Sequence, residues 1–390
     1  MKPKLLLYVL TAIAVVAIAA FVIYQLVYRG TGNAPAVTGQ TGSLPGAANQ
    51  QFPLATRTST VSAFNTSGGN VPSSQFGIIS NDPALDYFVS AANVVTLVEP
   101  EGIVESIANN VTSVLSTSTI SDIVTASFSY DGRKVLVTYR VGTTTQASVF
   151  DLATQAWTHL PNGMQSPVWS PTNYQIAYLV PSSTGSETLT TIDTGTANAK
   201  PAIISTLAME DMSLQWPNKN MIIISDRPSA YTTGSVWLFN ISSKTLSPVI
   251  YENLGAESLW DASGSALIFS ARTNNAGGQL VFQNATGTQR VFSFGTLPSK
   301  CAFGSSVVVY CAVPHDQSTF SVARLPDEYD QDIYFTDDDF YRIDAGNGSL
   351  SEIFSFLTAN QNLDATQMKV FNNILFFVNR YDQKIYALAL

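Results

Sequence analysis

The chain is poor in charge: Asp, Glu, Lys and Arg make up 12% of its 390 residues, about half the share of roughly 25% usual in soluble domains. Histidine and cysteine occur only twice each. Two cysteines without a histidine pair at ligand spacing do not make a zinc site. Bases are outnumbered, 19 against 28 acids, for a net charge of −9. An acidic exterior without a basic stripe repels phosphate backbones, which argues against a nucleic acid partner. No G-x-S-x-G elbow, H-E-x-x-H, P-loop or G-x-G-x-x-G is present, so no catalytic residue and no cofactor site is assigned. Surface helices rich in Glu and Lys are missing as well. Ser, Thr and Asn fill the polar positions, a composition that suits many short strands joined by polar turns.

One long hydrophobic run stands out against this background. Leu5 to Tyr28 carries no charge and is bracketed by Lys2 and Lys4 before it and Arg29 after it. As a helix rising ~1.5 Å per residue it can span a ~30 Å hydrocarbon core. The competing reading is a cleaved leader. Ala17-Ile18-Ala19 has the small-x-small form, but the apolar stretch continues straight past it, which favours an uncleaved anchor over residues 1–29. The basic residues lie mainly before the run, so the expected topology is a single-pass cell-membrane protein with a cytoplasmic N-terminus and an extracytoplasmic bulk. The first 29 residues carry a charge of +3 against −9 overall, leaving −12 for the remainder. Residues 30–75 then turn to Gly, Ala, Pro, Ser, Thr, Gln and Asn with Arg57 as the single charge. That composition predicts a flexible linker. Within it, Thr58–Phe64 alternates like a strand in need of a partner edge.

Beyond the linker a phrase repeats. An aromatic residue, a polar turn and a β-branched run recur at Phe88, Phe128, Trp169, Trp216, Trp260, Phe303 and Phe371, at spacings of 40, 41, 47, 44, 43 and 68 residues. A period in the forties with strands inside each unit is the mark of a β-propeller. A second signal keeps phase with the first. Asp151, Asp193, Asn240 and Gln283 each end an apolar run before a Thr/Ser/Gly-rich turn, 23, 24, 24 and 23 residues after their anchors. The phrases Ser129-Tyr130-Asp131-Gly132 and Trp169-Ser170-Pro171, each followed by a hydrophobic strand, resemble the S-P-D-G-x-x-I-A-Y type phrase of TolB-like and WD-repeat-like propellers. The likeness runs from about residue 86 to 390 and is a resemblance of fold. It implies an extracytoplasmic binding scaffold.

The expected architecture is therefore all-β: a transmembrane helix, a flexible linker and a seven-bladed β-propeller over residues 76–390. The weakly patterned first unit leaves six or eight blades open. The last unit, Phe371 to Leu390, stops where a third strand would end. A segment between Thr58 and Ile79 should supply the missing outer strand, because an open sheet edge is a liability that a closed ring avoids.

Candidate functional residues are few. Trp169, Trp216 and Trp260 occupy the anchor position, so packing between blades is their first reading, ahead of ligand stacking. Cys301 and Cys311 flank the first hairpin of the sixth unit and, outside the cytoplasm, should form a disulfide. That unit is long: Asp344 follows Phe303 by 41 residues, about 17 more than the period allows. The extra chain lies around Pro314–Tyr334. Loops that project from a rigid scaffold often bind, so Asp327, Glu328, Tyr329, Asp330, Asp332 and Tyr334 are the candidate interaction residues. Deleting the loop should then leave the fold intact. Asp337, Asp338 and Asp339 are candidate ligands for Ca2+, since clustered carboxylates suit hard cations. Their spacing matches no EF-hand or repeat calcium pattern, so a solvated acidic loop is the first reading, ahead of a calcium site. Two functions follow. The first is a membrane-anchored scaffold for an extracytoplasmic protein or an envelope polymer. The alternative is a surface carbohydrate-binding or carbohydrate-active protein, a glycosidase or lyase, with its site at the central channel. A deep channel with converging carboxylates favours the enzyme, and a small polar channel favours the scaffold.

Overall fold

The computed structural model describes residues 56–58, 75–116, 120–183, 185–272 and 276–390. They form seven antiparallel sheets arranged as the blades of a propeller. In chain order the inner strands are Asp86–Val89, Ile123–Phe128, Gln165–Trp169, Ser213–Asn218, Glu257–Trp260, Cys301–Phe303 and Ala365–Phe371. All seven repeat anchors lie on these strands, at or near the end where the chain turns back. The second repeat signal marks the same end of each blade, two strands further out. Asp151, Asp193, Asn240, Gln283 and Asp344 each terminate a third strand. The reason is local: Asp151 Oδ1 accepts the N–H groups of Ala153 and Thr154, and Asn240 Oδ1 accepts those of Ser242 and Ser243. A short side chain that caps the backbone two residues on makes the turn into the outer strand.

Each sheet buries its faces against its two neighbours. Seven apolar clusters result, each mixing residues of two adjacent blades. Trp169 and Trp260 are buried in two of them and Trp216 packs against a third. Stacking between blades is thus what the anchor tryptophans do. Indole N–H groups also tie blades together, as where Trp169 Nε1 donates to the Ser127 carbonyl at 3.1 Å.

The ring closes on itself through its first and last segments. The seventh blade takes its outer strand from Phe76–Ile78, which pairs antiparallel with Ile385–Ala389 (Phe76 opposite Leu388, Ile78 opposite Tyr386). The Phe76 ring stacks on Phe354 at 4.8 Å and on Tyr386 at 5.4 Å between centroids. Thr56–Thr58 adds a fifth strand to the first blade, antiparallel to Val111–Ser116. Of the strand-like stretch Thr58–Phe64 only Thr58 is described. The expected anchor at Leu5–Tyr28 and most of the linker also lie outside the described residues. Among the described residues, no helix is long and apolar enough to cross a membrane.

Closure by Phe76–Ile78 gives a direct test. A truncated chain beginning at residue 75 should melt cooperatively and close to the intact protein in circular dichroism. One beginning at residue 80 leaves the Ile385–Ala389 edge open and should melt lower or aggregate. Phe76→Ala alone should cost about 2–4 kcal/mol.

Candidate functional site

In such blades the starts of the first and third strands and the end of the second fall on one face. On that face the sixth blade carries its extra chain, residues 315–337, between the strands Val308–Pro314 and Asp338–Asp344. The segment folds as two single-turn helices, Gln317–Phe320 and Asp327–Asp330. Asp316 caps the first by accepting the Ser318 N–H at 2.9 Å.

Contrary to the expectation of a projecting loop, this segment lies down on the propeller. Phe320, Ala323, Leu325 and Tyr329 are buried in the cluster between the fifth and sixth blades. The Gln317 amide spans the Gly295 N–H and carbonyl. Gly277 donates to the Ala323 carbonyl at 2.7 Å. Only glycine fits at 277: its φ is 61°, and a Cβ there would sit 2.9 Å from Ser321 Cα. The segment reaches the fourth blade, where Asp327 accepts the Ser229 hydroxyl and the Ala230 N–H. It also reaches the seventh, where Arg380 donates to the Tyr329 and Tyr334 carbonyls. Deleting residues 314–334 would therefore strip part of the core.

Beneath the segment is a buried ionic cluster. Lys300, 1% exposed, precedes the inner strand of the sixth blade and donates to Thr336 Oγ1 (2.8 Å), Asp338 (2.7 Å) and Asp364. Asp364 also accepts from Arg380 and from the Tyr329 hydroxyl. Asp338 accepts from Thr336 Oγ1 and the Ala365 N–H. Tyr329 lies with its ring 3.7 Å from the Arg380 guanidinium carbon and 5.1 Å from Lys300 Nζ. Burial alone would lower the Lys300 ammonium, but the Asp338 and Asp364 charges outweigh it and hold it well above its ordinary value. Burial pushes Asp338 up against the pull of Lys300. Every donor of the ammonium is taken, so the cluster is a clasp joining the sixth blade, the seventh blade and the overlying segment.

The sequence candidates are thus divided. Asp327, Tyr329 and Tyr334 turn toward the propeller. Glu328 accepts the Arg324 N–H, and Asp332 is exposed but held by Arg380. The three consecutive aspartates do not converge. Asp338 enters the clasp, whereas Asp339 points the other way to His315 Nδ1 (2.6 Å) and the Ser355 hydroxyl (2.6 Å). Asp337 Oδ1 has no hydrogen-bond partner among the described residues. Among the described residues, no group of three or more His, Cys, Asp or Glu is placed to hold a metal ion. Cys301 and Cys311 stand directly opposite each other in the first hairpin of the sixth blade and are joined by a disulfide.

One further carboxyl went unnoticed in the sequence. Glu257 opens the inner strand of the fifth blade and accepts the Ser299 N–H at 2.9 Å. Burial, then the charge of Asp330, pushes it up to about 7. Asp330 itself is raised to about 6 by burial and by Asp327. One cavity of about 370 Å³, formed by the inner strands of blades five to seven, has Asp261 and Lys369 as its charged lining residues. Lys369 is paired with Asp86 at 2.6 Å. A second cavity of about 570 Å³, between blades two, three and four, has Asp211 and Arg227. Two carboxylates facing one reacting bond, as glycosidases use, occur in neither.

No known protein family's sequence profile matches the chain, and no curated protein matches it. Similarity appears at the level of fold. An oligogalacturonate lyase in complex with manganese aligns over 87% of this chain and 97% of its own, with a TM-score of 0.54 at 12% identity. An oligogalacturonate lyase from Vibrio parahaemolyticus aligns over 80% and 93%, with a TM-score of 0.53 at 9% identity. TolB from Acinetobacter baumannii aligns over 69% and 63%, with a TM-score of 0.42 at 10% identity. The chain shares its fold with the two lyases, and its own seven sheets make that fold a β-propeller.

Two measurements check this account. Asp364→Ala strands Lys300 and Arg380 without their shared counter-charge and should cost about 3–5 kcal/mol in urea unfolding. Glu257 keeps its proton in the folded protein up to about pH 7, whereas the unfolded chain releases it near its ordinary value. The folded state binds more protons across that window, so its stability should fall as pH rises through it and level off above. Glu257→Gln should flatten this slope and raise the melting temperature at pH 8, a gain of roughly 1–2 kcal/mol.

Proposed function

We propose that the protein is a membrane-anchored, extracytoplasmic propeller that serves as a docking scaffold for an envelope protein, with the face bearing residues 315–337 as the contact surface. The observation that carries this reading is the two-sidedness of that segment. Its inner side is locked to the propeller by the clasp and the apolar cluster. Its outer side leaves Val322 70% and Ile333 66% exposed, with Phe335 and Tyr381 partly exposed nearby. Exposed aliphatic and aromatic side chains on an otherwise polar protein mark interaction sites. Residues 314–341 hold eight acids and one arginine, a net charge of −7 in a chain of −9. The partner should therefore present basic residues around an apolar centre.

Three features support the setting. The uncharged run Leu5–Tyr28 and its flanking bases suit a single-pass anchor. The disulfide suits an oxidising compartment. Neither of the two cavities lined by inner strands brings two carboxylates together, which weighs toward binding over glycan cleavage.

Crosslinking of the full-length protein in its own membrane, followed by mass spectrometry, tests the reading. Crosslinks to defined envelope proteins should concentrate on residues 315–337. The exposed pair Val322→Asp and Ile333→Asp should weaken capture at least 10-fold with the melting temperature unchanged. Attachment to sugar polymer alone, or cleavage of an oligogalacturonate panel, would instead favour the carbohydrate reading.

A further inference from the structure

The same face carries a second feature, away from the overlying segment. The inner strands of the second and third blades part there. Ile123–Phe128 is bulged between Ile123 and Thr125, and Gln165–Trp169 between Gln165 and Val168. Ser166 in the second bulge has φ 45°. A bulge bends its strand and ends regular pairing. The opening between the two strands is the cavity of about 570 Å³, closed on its third side by Asp211–Leu214 and Arg227 of the fourth blade.

Its lining has two characters. Val124, Ala126, Pro167 and Val168 supply apolar wall, and Val124 is 46% exposed although it sits on an inner strand. The charged lining residues are one acid and one base, and among the described residues neither the Asp211 carboxylate nor the Arg227 guanidinium has an ion-pair partner. The Asp211 backbone N–H is taken up by Glu187 at 3.2 Å, which fixes that loop while leaving the carboxylate outward. A ligand that satisfies both charges and the wall has an apolar body with a positive and a negative end. The volume falls within the range of small-ligand sites, roughly 300–1,000 Å³. Trp169 in the lining is only 8% exposed, so its indole face is not open for a sugar ring to stack on.

We propose that this cleft binds a short peptide with apolar side chains and free termini, two or three residues long, with Arg227 receiving the carboxylate and Asp211 the ammonium. This site stands apart from residues 315–337 and does not depend on what docks there.

Calorimetric titration of the full-length protein in detergent tests it, with the tripeptide Ala-Leu-Leu, its N-acetyl form, its C-terminal amide, and trigalacturonate as probes. Ala-Leu-Leu should bind, and blocking either end should weaken it about 10-fold or more, as expected for the loss of a charged hydrogen bond. Arg227→Ala should abolish the difference between acid and amide. Asp211→Ala should abolish the difference between free and acetylated amine. Both residues are exposed, so both variants should melt like the parent, and Val124→Trp, at an exposed lining residue, provides an independent block by filling the cleft. The proposal is overturned if millimolar tripeptide gives no heat, if all three peptide forms bind alike, or if trigalacturonate binds more tightly than the tripeptide.

Discussion

A radial array of sheets holds together only if each blade has a neighbour on both sides and no edge within the ring is left open. Here that condition rests on three residues. Phe76–Ile78 pair with the last strand of the chain, so the seventh blade is built from both ends of the propeller sequence. The hydrogen bonds of this pairing continue past it, with Ala389 donating to the Gln75 carbonyl and Ile79 to the Ile385 carbonyl. The apolar cluster between the sixth and seventh blades depends on it, because Phe76 covers Phe354, Phe377 and Tyr386. The route of the chain follows from the same closure. Thr56–Thr58 runs along the outer edge of the first blade, so chain arriving from the N-terminal side meets the propeller at its rim. An attachment at the rim leaves the two faces free for contacts.

On one of those faces, charge and apolar burial act together. In a chain with few ionisable groups, Lys300, Asp338, Asp364 and Arg380 are gathered under a segment that also contributes Phe320, Leu325 and Tyr329 to the core. Burying these charges has a large desolvation cost, offset only because every donor and acceptor is matched. The match requires the sixth blade, the seventh blade and the overlying segment in one arrangement, so the cluster specifies how the segment sits. The carboxyls raised by burial, Glu257 and Asp330, lie where this segment meets the channel.

The seated segment leaves the mouth of the channel divided. Blades four to seven contact the segment, whereas the parted inner strands of blades two and three remain open. One side offers a large surface suited to a protein, and the other a cleft sized for a small ligand. The two share a face without sharing residues.

Blade number, the strand that each anchor aromatic occupies, the turn-capping role of Asp151, Asn240 and their counterparts, and the Cys301–Cys311 bridge were all legible in the sequence. They are local or periodic properties. An aromatic before a tight turn, or an Asp two residues before a Thr-Gly turn, has the same surroundings in every repeat. The inserted segment was legible as extra length, but its acids and tyrosines read as a projecting loop. Which of them face inward is settled by residues far away in the chain: Lys300, Asp364 and Arg380 for the clasp, Ser229 for Asp327, and Glu257 opposite Asp330. Alternation along one strand sends Asp338 and Asp339 to opposite partners, so a run of three aspartates that reads as a cluster separates once it is folded. Sequence alone determined the repeat, because each blade is specified by its own residues. Only the tertiary structure decided the site, because burial and counter-charge are contributed by other blades.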